Sequence, residues 1–280
     1  MTGKKKGIQL SAVIVAILVV FWFIVCLVPF IFLIMSTFKE QFEMLNNGVF
    51  ALPQKLYLGN YADIFSSKTI WRYIINSFTV LFVTLVILLS FSAFAAYPLS
   101  RWKFRFNKPI YGFIVACMSI PIHVTLLPLY LMSVRTGLYD SIWALIGPYV
   151  AFNLPISVFI LSTFMATIPK ELEEAAQIDG CGRYGIFGKV MVPLVKPGLA
   201  TLVIYDGVNI WNEFSFALTL TQSSENRTLP LAVNEFQGQY SMNTPMILTV
   251  LFISILPMII VFIFGQDKLI KGMMAGAVKG

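Results

Sequence analysis

Five polar side chains interrupt a long apolar run in the last third of the chain: Tyr205, Asp206, Asn209, Asn212 and Glu213. Their spacings of three, four and seven predict one stripe along a helix. Inside a membrane such a stripe offers hydrogen-bond donors and acceptors to a hydroxyl-rich solute. An acid at mid-membrane costs about 2.5–3.5 kcal/mol, so Asp206 is not expected to face lipid. We predict that the stripe lines a solute path, although bonding to a second membrane subunit would satisfy the same groups.

A second polar segment, residues 168–180, separates two apolar runs. Pro169 suits the first turn of a helix, since its missing N–H has no partner there. Three acids follow where the helix dipole favours negative charge, namely Glu171, Glu173 and Glu174. Ala175 and Ala176 are small enough for close approach, and Gly180 suits the helix end. We interpret this segment as a surface helix that docks onto a partner.

The composition predicts an all-α integral membrane protein. The chain is 58% hydrophobic and only 12% charged, about half the charged fraction of an average soluble domain. Six runs are long enough for the roughly 20 apolar residues that a bilayer requires. They are Ile8–Met35, Ile74–Leu99, Pro109–Val134, Ser141–Ile168, Val192–Leu220 and Pro245–Gly265. The prolines at 121 and 128 predict a kink in the third run.

The basic residues predict the orientation. They cluster before the first run, between runs two and three, and after the sixth. The clusters are Lys4, Lys5 and Lys6; Arg101, Lys103, Arg105 and Lys108; and Lys268, Lys271 and Lys279. Because basic residues stay cytoplasmic, both termini and the 168–180 segment are predicted to be cytoplasmic. The net charge of +7 is thus explained by orientation, and no nucleic-acid partner is expected.

Specific motifs carry a family resemblance. Glu174-Ala175-Ala176 and Asp179-Gly180, followed by Phe187, Val190 and Pro193, resemble the EAA loop of importer-type ABC transporter permeases. Further matches to the carbohydrate-uptake, maltose-type branch extend over nearly the whole chain. These are Asn60-Tyr61, Asn76-Ser77, Ile120-Pro121, Pro128-Leu129-Tyr130, the residues 137–140, the residues 211–214 and the ending at 272–280.

The resemblance implies the type I importer permease fold in the cytoplasmic membrane. Residues 1–70 would form an anchor helix and an external segment, residues 71–265 the five-helix transport core with its loop at 168–193, and residues 266–280 a cytoplasmic tail. The implied ATPase-coupling residues are Glu173, Glu174, Ala175, Ala176, Asp179 and Gly180. The implied tail contacts with the ATPase are Ala275, Gly276, Lys279 and Gly280.

The resemblance also implies partners. They are a second permease subunit, two copies of an ATP-binding subunit, an external solute-binding protein and a carbohydrate substrate, in addition to the lipid bilayer. No P-loop is present, because Gly188-Lys189 is followed by Val190 and Arg183 stands where the first glycine would be. We therefore expect no catalytic residue, no metal and no bound cofactor in this chain, and ATP with Mg²⁺ on the partner ATPase.

Two other functional classes remain open from the residues. An ion-gradient-driven secondary transporter would be expected to contain inverted repeats and broken helices with ion sites. No repeat is visible, and Asp206 is the one strong mid-membrane acid. A membrane-embedded enzyme would need clustered acid–base or metal-binding residues, and the single histidine, together with the widely spaced Cys26, Cys117 and Cys181, disfavours it.

Overall fold

A computed structural model of the protein describes residues 10–48, 50–236 and 243–277, with side chains described between residues 13 and 267 of these ranges. Within them the regular structure is helical, as the composition predicts. The α-helices are α1 Leu10–Thr37, α2 Gln41–Asn47, α3 Gly59–Ser66, α4 Lys68–Arg101, α5 Asn107–Cys117, α6 Leu126–Thr136, α7 Trp143–Ala166, α8 Glu171–Ile178, α9 Arg183–Ile186, α10 Val192–Leu194, α11 Lys196–Trp211, α12 Ser215–Leu220 and α13 Thr244–Ala277. Two 3₁₀ segments, Ile122–Thr125 and Leu229–Phe236, and one π-helical segment, Phe187–Met191, complete them.

The chain forms two compact units. Of the described residues, the first unit comprises 10–48, 50–67, 233–236 and 243–254, and the second comprises 68–232 and 255–277. In the first unit, Asn60 Nδ2 donates to the carbonyl oxygens of Thr37 and Lys39, both at 2.9 Å. The Tyr61 hydroxyl lies 2.7 Å from Thr37 Oγ1. Asn60 and Tyr61 thus hold the end of α1, where the last carbonyls of a helix lack helical partners.

The second unit is organised around α4, α7 and α11. One apolar cluster joins Val80 and Leu88 of α4 to Leu145 of α7 and Ile210 of α11. Gly198 of α11 lets the helices approach closely, because a Cβ there would lie 3.0 Å from the ring of Phe164. Small residues at such contacts are usual in membrane helix packing, where close van der Waals contact replaces the hydrophobic driving force.

Within the described ranges, four helices are long and apolar enough to cross a membrane, and up to six spans result if each of two bent helix pairs forms one span. The four are Val13–Thr37, Lys68–Arg101, Trp143–Ala166 and Thr244–Asp267. The side chains of residues 13–30 of α1 are exposed, as expected for a helix that faces lipid or another membrane helix. The third and fifth predicted spans each correspond to a bent helix pair, and the number of spans stays a prediction.

The breaks occur at prolines. In the third span the predicted kink is present: α5 and the segment Ile122–Thr136 are bent by 86°, with Pro121 between them. In the fifth span, Arg183–Leu194 and α11 are bent by 68°. There Pro193 and Pro197 each lack the N–H that would bond one turn back. The π-helical segment ends at Met191, two residues before Pro193, and π-helical turns occur mostly as single-turn bulges within α-helices.

Helix α13 continues beyond the predicted end of span six. It runs from Thr244 without interruption to Ala277, so the tail predicted from residue 266 begins within a helix. Of the tail residues Ala275 and Gly276 only the helical backbone is described, and Lys279 and Gly280 lie outside the described residues. The domain division, the tail contacts and the orientation of the termini stay predictions.

Candidate functional site

Helix α8 forms where the acidic segment predicts it, and its C-terminal end is built by Gly180. Gly180 has φ +81°, a left-handed conformation that side-chain-bearing residues rarely adopt. The Cys181 N–H donates to the Ala176 carbonyl at 2.9 Å, and the Gly180 N–H to Gln177 at 3.0 Å. This pair of bonds is a Schellman motif, which satisfies the last carbonyls of the helix.

The two faces of α8 differ in exposure. Four exposed residues follow the helical spacing i, i+3, i+4 and i+7 and form what we term the docking face: Glu171, Glu174, Ala175 and Ile178. Ile178 is 87% exposed, although it is an isoleucine. Glu173 and Ala176 lie on the opposite face, where Ala176 is buried in a cluster with Met165 and Ile186. Glu173 and Ala176 therefore anchor the helix, while the docking face stays open.

A buried ion pair fixes this inner face to the end of α4. The Arg101 Nε donates to Glu173 Oε1, and the two side chains are only 4% and 13% exposed. The Tyr97 hydroxyl donates to Glu173 Oε2 at 2.9 Å. The Arg101 Nη1 donates to the carbonyls of Met165 and Ile168 at 3.1 and 2.9 Å. One guanidinium thus joins α4, the end of α7 and α8, so that these three elements are held together.

Two cavities flank the ion pair. An aromatic cavity of about 360 Å³ is lined by Phe94, Tyr97, Pro98, Trp102, Arg183, Tyr184 and Phe187. A more polar cavity of about 280 Å³ is lined by Tyr97, Arg101, Trp102, Lys170, Glu173, Glu174, Gln177, Arg183 and Ile186. Because Tyr97, Trp102 and Arg183 line both, the cavities adjoin. The Arg183 guanidinium lies over the Trp102 ring, 5.2 Å from its centroid.

The five-residue polar stripe does not form one helical face. Helix α11 ends at Trp211, so Asn212 and Glu213 lie in the break before α12. Tyr205 and Asn209 are exposed on α11, whereas Asp206 is fully buried. The continuous stripe was therefore a wrong geometric prediction. The assignment of these residues to a solute path stays a prediction.

Glu213 explains why the helix breaks here. Its carboxylate accepts hydrogen bonds from the backbone N–H groups of Phe216 at 2.8 Å and Ala217 at 3.1 Å. It also accepts one from the Tyr149 hydroxyl of α7 at 2.6 Å. The carboxylate thus satisfies N–H groups that lack a partner at the start of α12. Glu213 was predicted as the last residue of the polar stripe, and in the structure it is a half-buried anchor between α7 and α12.

Asp206 faces α7. The Ser157 hydroxyl donates to Asp206 Oδ2 at 2.8 Å, and Asp206 Oδ1 is buried without a hydrogen-bond partner among the described residues. The side chain is thus kept away from lipid, as expected for an acid in a span. In this conformation it is enclosed by its own chain and contacts neither an open path nor a partner surface.

At the other end of α4 and α7, hydrogen bonds hold the connection after α12. The carboxylate of Asp140 accepts from the N–H groups of Gln222 at 2.8 Å and Ser223 at 2.9 Å. Burial raises the pKa of this carboxyl, but these hydrogen bonds outweigh it and the net pKa is lowered. The Asn76 side chain donates to the carbonyl oxygens of Glu225 at 2.8 Å and Arg227 at 2.9 Å.

Three informative residues were missed by the sequence reasoning. Ile178 and Tyr184 are 87% and 90% exposed apolar side chains beside the acids. The spacing of Glu171, Glu174 and Ile178 would have placed Ile178 on the docking face. Arg101 was assigned to orientation alone. Its burial was not predictable, because no local pattern links it to Glu173, 72 positions away.

The relatives found by sequence comparison are transport permeases. The chain is 47% identical over 259 residues to an ABC transporter permease protein of Caldicellulosiruptor sp. (strain Rt8B.4), covering 92% of this chain and 94% of the relative. It is 34% identical to the sulfoquinovosyl glycerol transport system permease of Agrobacterium fabrum, covering 91% and 89%. It is 32% identical to the arabinooligosaccharides transport system permease of Halalkalibacterium halodurans, covering 99% and 100%.

The fold agrees with these relatives. A chain of a bacterial ABC transporter involved in the import of the acidic polysaccharide alginate superposes with a TM-score of 0.82 at 21% identity, covering 95% of this chain and 99% of that chain. The family of binding-protein-dependent transport system inner membrane components matches residues 89–273, a range that includes α8, α11 and the Arg101–Glu173 ion pair. The chain belongs to this family and is a multi-pass transport subunit of an ABC importer in the cytoplasmic membrane, not an enzyme.

Proposed function

We propose that this chain is the permease subunit of an ABC importer for a sugar or an oligosaccharide. The relatives named for arabinooligosaccharides and for sulfoquinovosyl glycerol, each matched over about nine-tenths of this chain or more, support the substrate class. Family membership favours this function over ion-gradient transport, since the family works with a binding protein. The substrate would be delivered by that protein and moved by alternating access.

The observation that carries the coupling role is the docking face of α8. It presents two acids, a small residue and Ile178 to solvent, while the inner face is held by the buried Arg101–Glu173 pair. A partner that moves α8 would therefore also move the ends of α4 and α7, because Arg101 of α4 bonds to Glu173 of α8 and to two carbonyl oxygens at the end of α7. We propose that this partner is the ATP-binding subunit, two copies of which would bind ATP and Mg²⁺.

The remaining partners follow from the same assignment. The exposed apolar surface of α1 fits a second permease subunit, which would complete a heterodimer. The external solute-binding protein would contact the opposite end of the chain, where Asp140 and Asn76 hold the connection after α12. Tyr205, Asn209 and Asn212, which are exposed, would then face the sugar, and Asp206 and Glu213 would support that helix region from within.

The coupling role is tested with Ile178. Burying an isoleucine contributes about 1.5–3 kcal/mol, so Ile178→Ser should weaken binding of the ATPase about tenfold or more. The thermal stability of the Ile178→Ser variant should match that of the unmodified chain, since the Ile178 side chain is 87% exposed. The measurements are co-purification of the ATP-binding subunit and sugar uptake by the reconstituted transporter. Ile178→Leu, which keeps an apolar side chain, is the control and should retain both activities.

Two outcomes separate the parts of the proposal. Full sugar uptake and normal ATPase binding by the Ile178→Ser variant would contradict the docking face. Substrate class is tested separately by a thermal-shift screen of the cognate binding protein against sugars. If no mono- or oligosaccharide shifts its melting temperature and another solute does, the sugar assignment is wrong while the coupling assignment stands.

A further inference from the structure

The two cavities beside the Arg101–Glu173 ion pair form a site with one polar half and one aromatic half. They adjoin along Tyr97, Trp102 and Arg183, with volumes of about 280 and 360 Å³. The coupling role proposed above uses Glu174 and the ion pair from the lining of the polar half, but it assigns no ligand to either cavity. Both cavities lie at the C-terminal end of α4, one of the helices long and apolar enough to cross a membrane.

The polar half carries a net positive charge, because Arg101 is paired with Glu173, and Lys170 and Arg183 outnumber Glu174. Arg101, Lys170 and Arg183 line it, against Glu173 and Glu174. Glu173 is already bonded to Arg101 and to a tyrosine hydroxyl, so its charge is neutralised within the chain. The Arg101 side chain is only 4% exposed, and its Nη2 is buried without a hydrogen-bond partner among the described residues.

An unpartnered guanidinium nitrogen at this depth is costly, because a buried donor loses its bonds to water. Arg183 adds a second guanidinium whose contact within the described part of the chain is the face of Trp102, which leaves its N–H edge open. The two guanidinium groups place positive charge at one cavity, and the open N–H edge of Arg183 matches the geometry of a phosphate or carboxylate group. The polar half is therefore suited to an oxyanion.

The aromatic half selects among oxyanions. Phe94, Pro98 and Phe187 offer an apolar wall directly beside the cationic residues. A free phosphate would leave this apolar wall without a contact. A phospholipid, in contrast, carries its apolar acyl carbons a few bonds away from its anionic phosphate group. Lys103, Arg105 and Lys108 follow α4 immediately, and basic residues at a membrane surface attract anionic lipids by about 1 kcal/mol each.

We propose that this site binds one anionic phospholipid, with its phosphate at Arg101, Lys170 and Arg183 and its glycerol and first acyl carbons in the aromatic half. The phosphate would bond to Lys170 and to the open N–H edge of Arg183, directly beside the Arg101–Glu173 pair. It would thereby stabilise the junction of α4, α7 and α8. The identity of the transported solute does not enter this inference.

The experiment uses the purified full-length chain in neutral detergent micelles. Bound lipid is counted by native mass spectrometry after addition of phosphatidylglycerol or, separately, phosphatidylcholine of the same acyl chains. We expect phosphatidylglycerol to bind about tenfold more tightly, since charge-assisted hydrogen bonds are the strong ones. Arg183→Gln should abolish most of this preference. Arg183 is exposed, so the variant is expected to fold.

Lys189→Gln is the matched control. Lys189 is also an exposed cation of the same segment, but it lines neither cavity. The variant loses the same charge and should keep the preference for phosphatidylglycerol. A third arm adds inorganic phosphate at millimolar concentration, which should not displace the lipid.

Four results would overturn the proposal. The first is equal binding of the two lipids by the unmodified chain, and the second is an equal loss of preference in both variants. The third is displacement of the lipid by inorganic phosphate, which would identify a free-anion site. The fourth is an Arg183→Gln variant that keeps its lipid but loses the ATP-binding subunit in co-purification, which would assign the cavities to a protein contact.

Discussion

Removing the charge of Glu173 should destabilise the junction of α4, α7 and α8 by about 3 kcal/mol. Arg101 is 4% exposed, so in Glu173→Gln its charge stays buried with two carbonyl oxygens as its remaining partners. Breaking a buried pair on one side costs about 3–5 kcal/mol. The lower end applies, because a glutamine oxygen still accepts from Arg101 Nε and the tyrosine hydroxyl can reorient.

This loss is measurable as a shift in melting temperature. In chains of this size 1 kcal/mol corresponds to about 2–4 °C, so Glu173→Gln should melt about 6 °C lower or more in detergent. Glu171→Gln is the control on the same helix. Glu171 is exposed and makes no ion pair within the described residues, so its variant should melt within about 1 °C of the unmodified chain.

A double-mutant cycle isolates the pair. Arg101→Met should cost at least as much as Glu173→Leu, because it also removes two bonds to carbonyl oxygens. The double variant should be no less stable than either single variant, since replacing both charges leaves none buried. Additive losses, or a Glu173→Gln variant that melts with the Glu171→Gln control, would refute the assignment of Arg101 and Glu173 as the structural junction.

Two further predictions concern the opposite end of the molecule. Although burial raises the pKa of Asp140, hydrogen bonds from Gln222 and Ser223 lower it overall, so the stability that they contribute is fully present above about pH 5. This stability is lost as the pH falls through the pKa of the folded state. Melting temperature measured against pH should show the loss in the unmodified chain and not in Asp140→Asn. Glu213→Ala should cost about 2–3 kcal/mol because it removes three accepted hydrogen bonds, whereas Asn212→Ala, at an exposed position, should change the melting temperature by under 1 °C.

The sequence was sufficient for the fold class and for the location of α8. Apolar runs and a proline followed by acids and a glycine are local signals, and each has a direct structural cause. For the breaks of the third and fifth spans, the sequence indicates the position but not the bend angle. Proline shows where a helical bond is missing, but the bend angle of 86° or 68° depends on packing against other helices.

Hydrogen-bond partners that lie far apart in the chain could not be predicted from the sequence. Glu213 looked like the last polar residue of a continuous helix, and only its bonds to Tyr149 and to two backbone N–H groups show that the helix ends before it. Glu173 and Glu174 are adjacent and identical in type, yet one lies in the buried junction and the other on the docking face. Since successive helical residues point about 100° apart, this separation follows from which face of α8 is buried.

This division of α8 has a mechanical consequence. The docking face alone would let a partner bind without moving the membrane helices, because a surface helix on flexible connections can shift independently. The buried Arg101–Glu173 pair removes that freedom, since Arg101 belongs to the same continuous helix as Val80 and Leu88 of the core. In the proposed coupling mechanism, rigid transmission of movement from α8 would therefore depend on the inner face. A variant that binds the ATPase normally but breaks the ion pair should hydrolyse ATP with reduced sugar uptake, whereas a docking-face variant should lose ATPase binding itself.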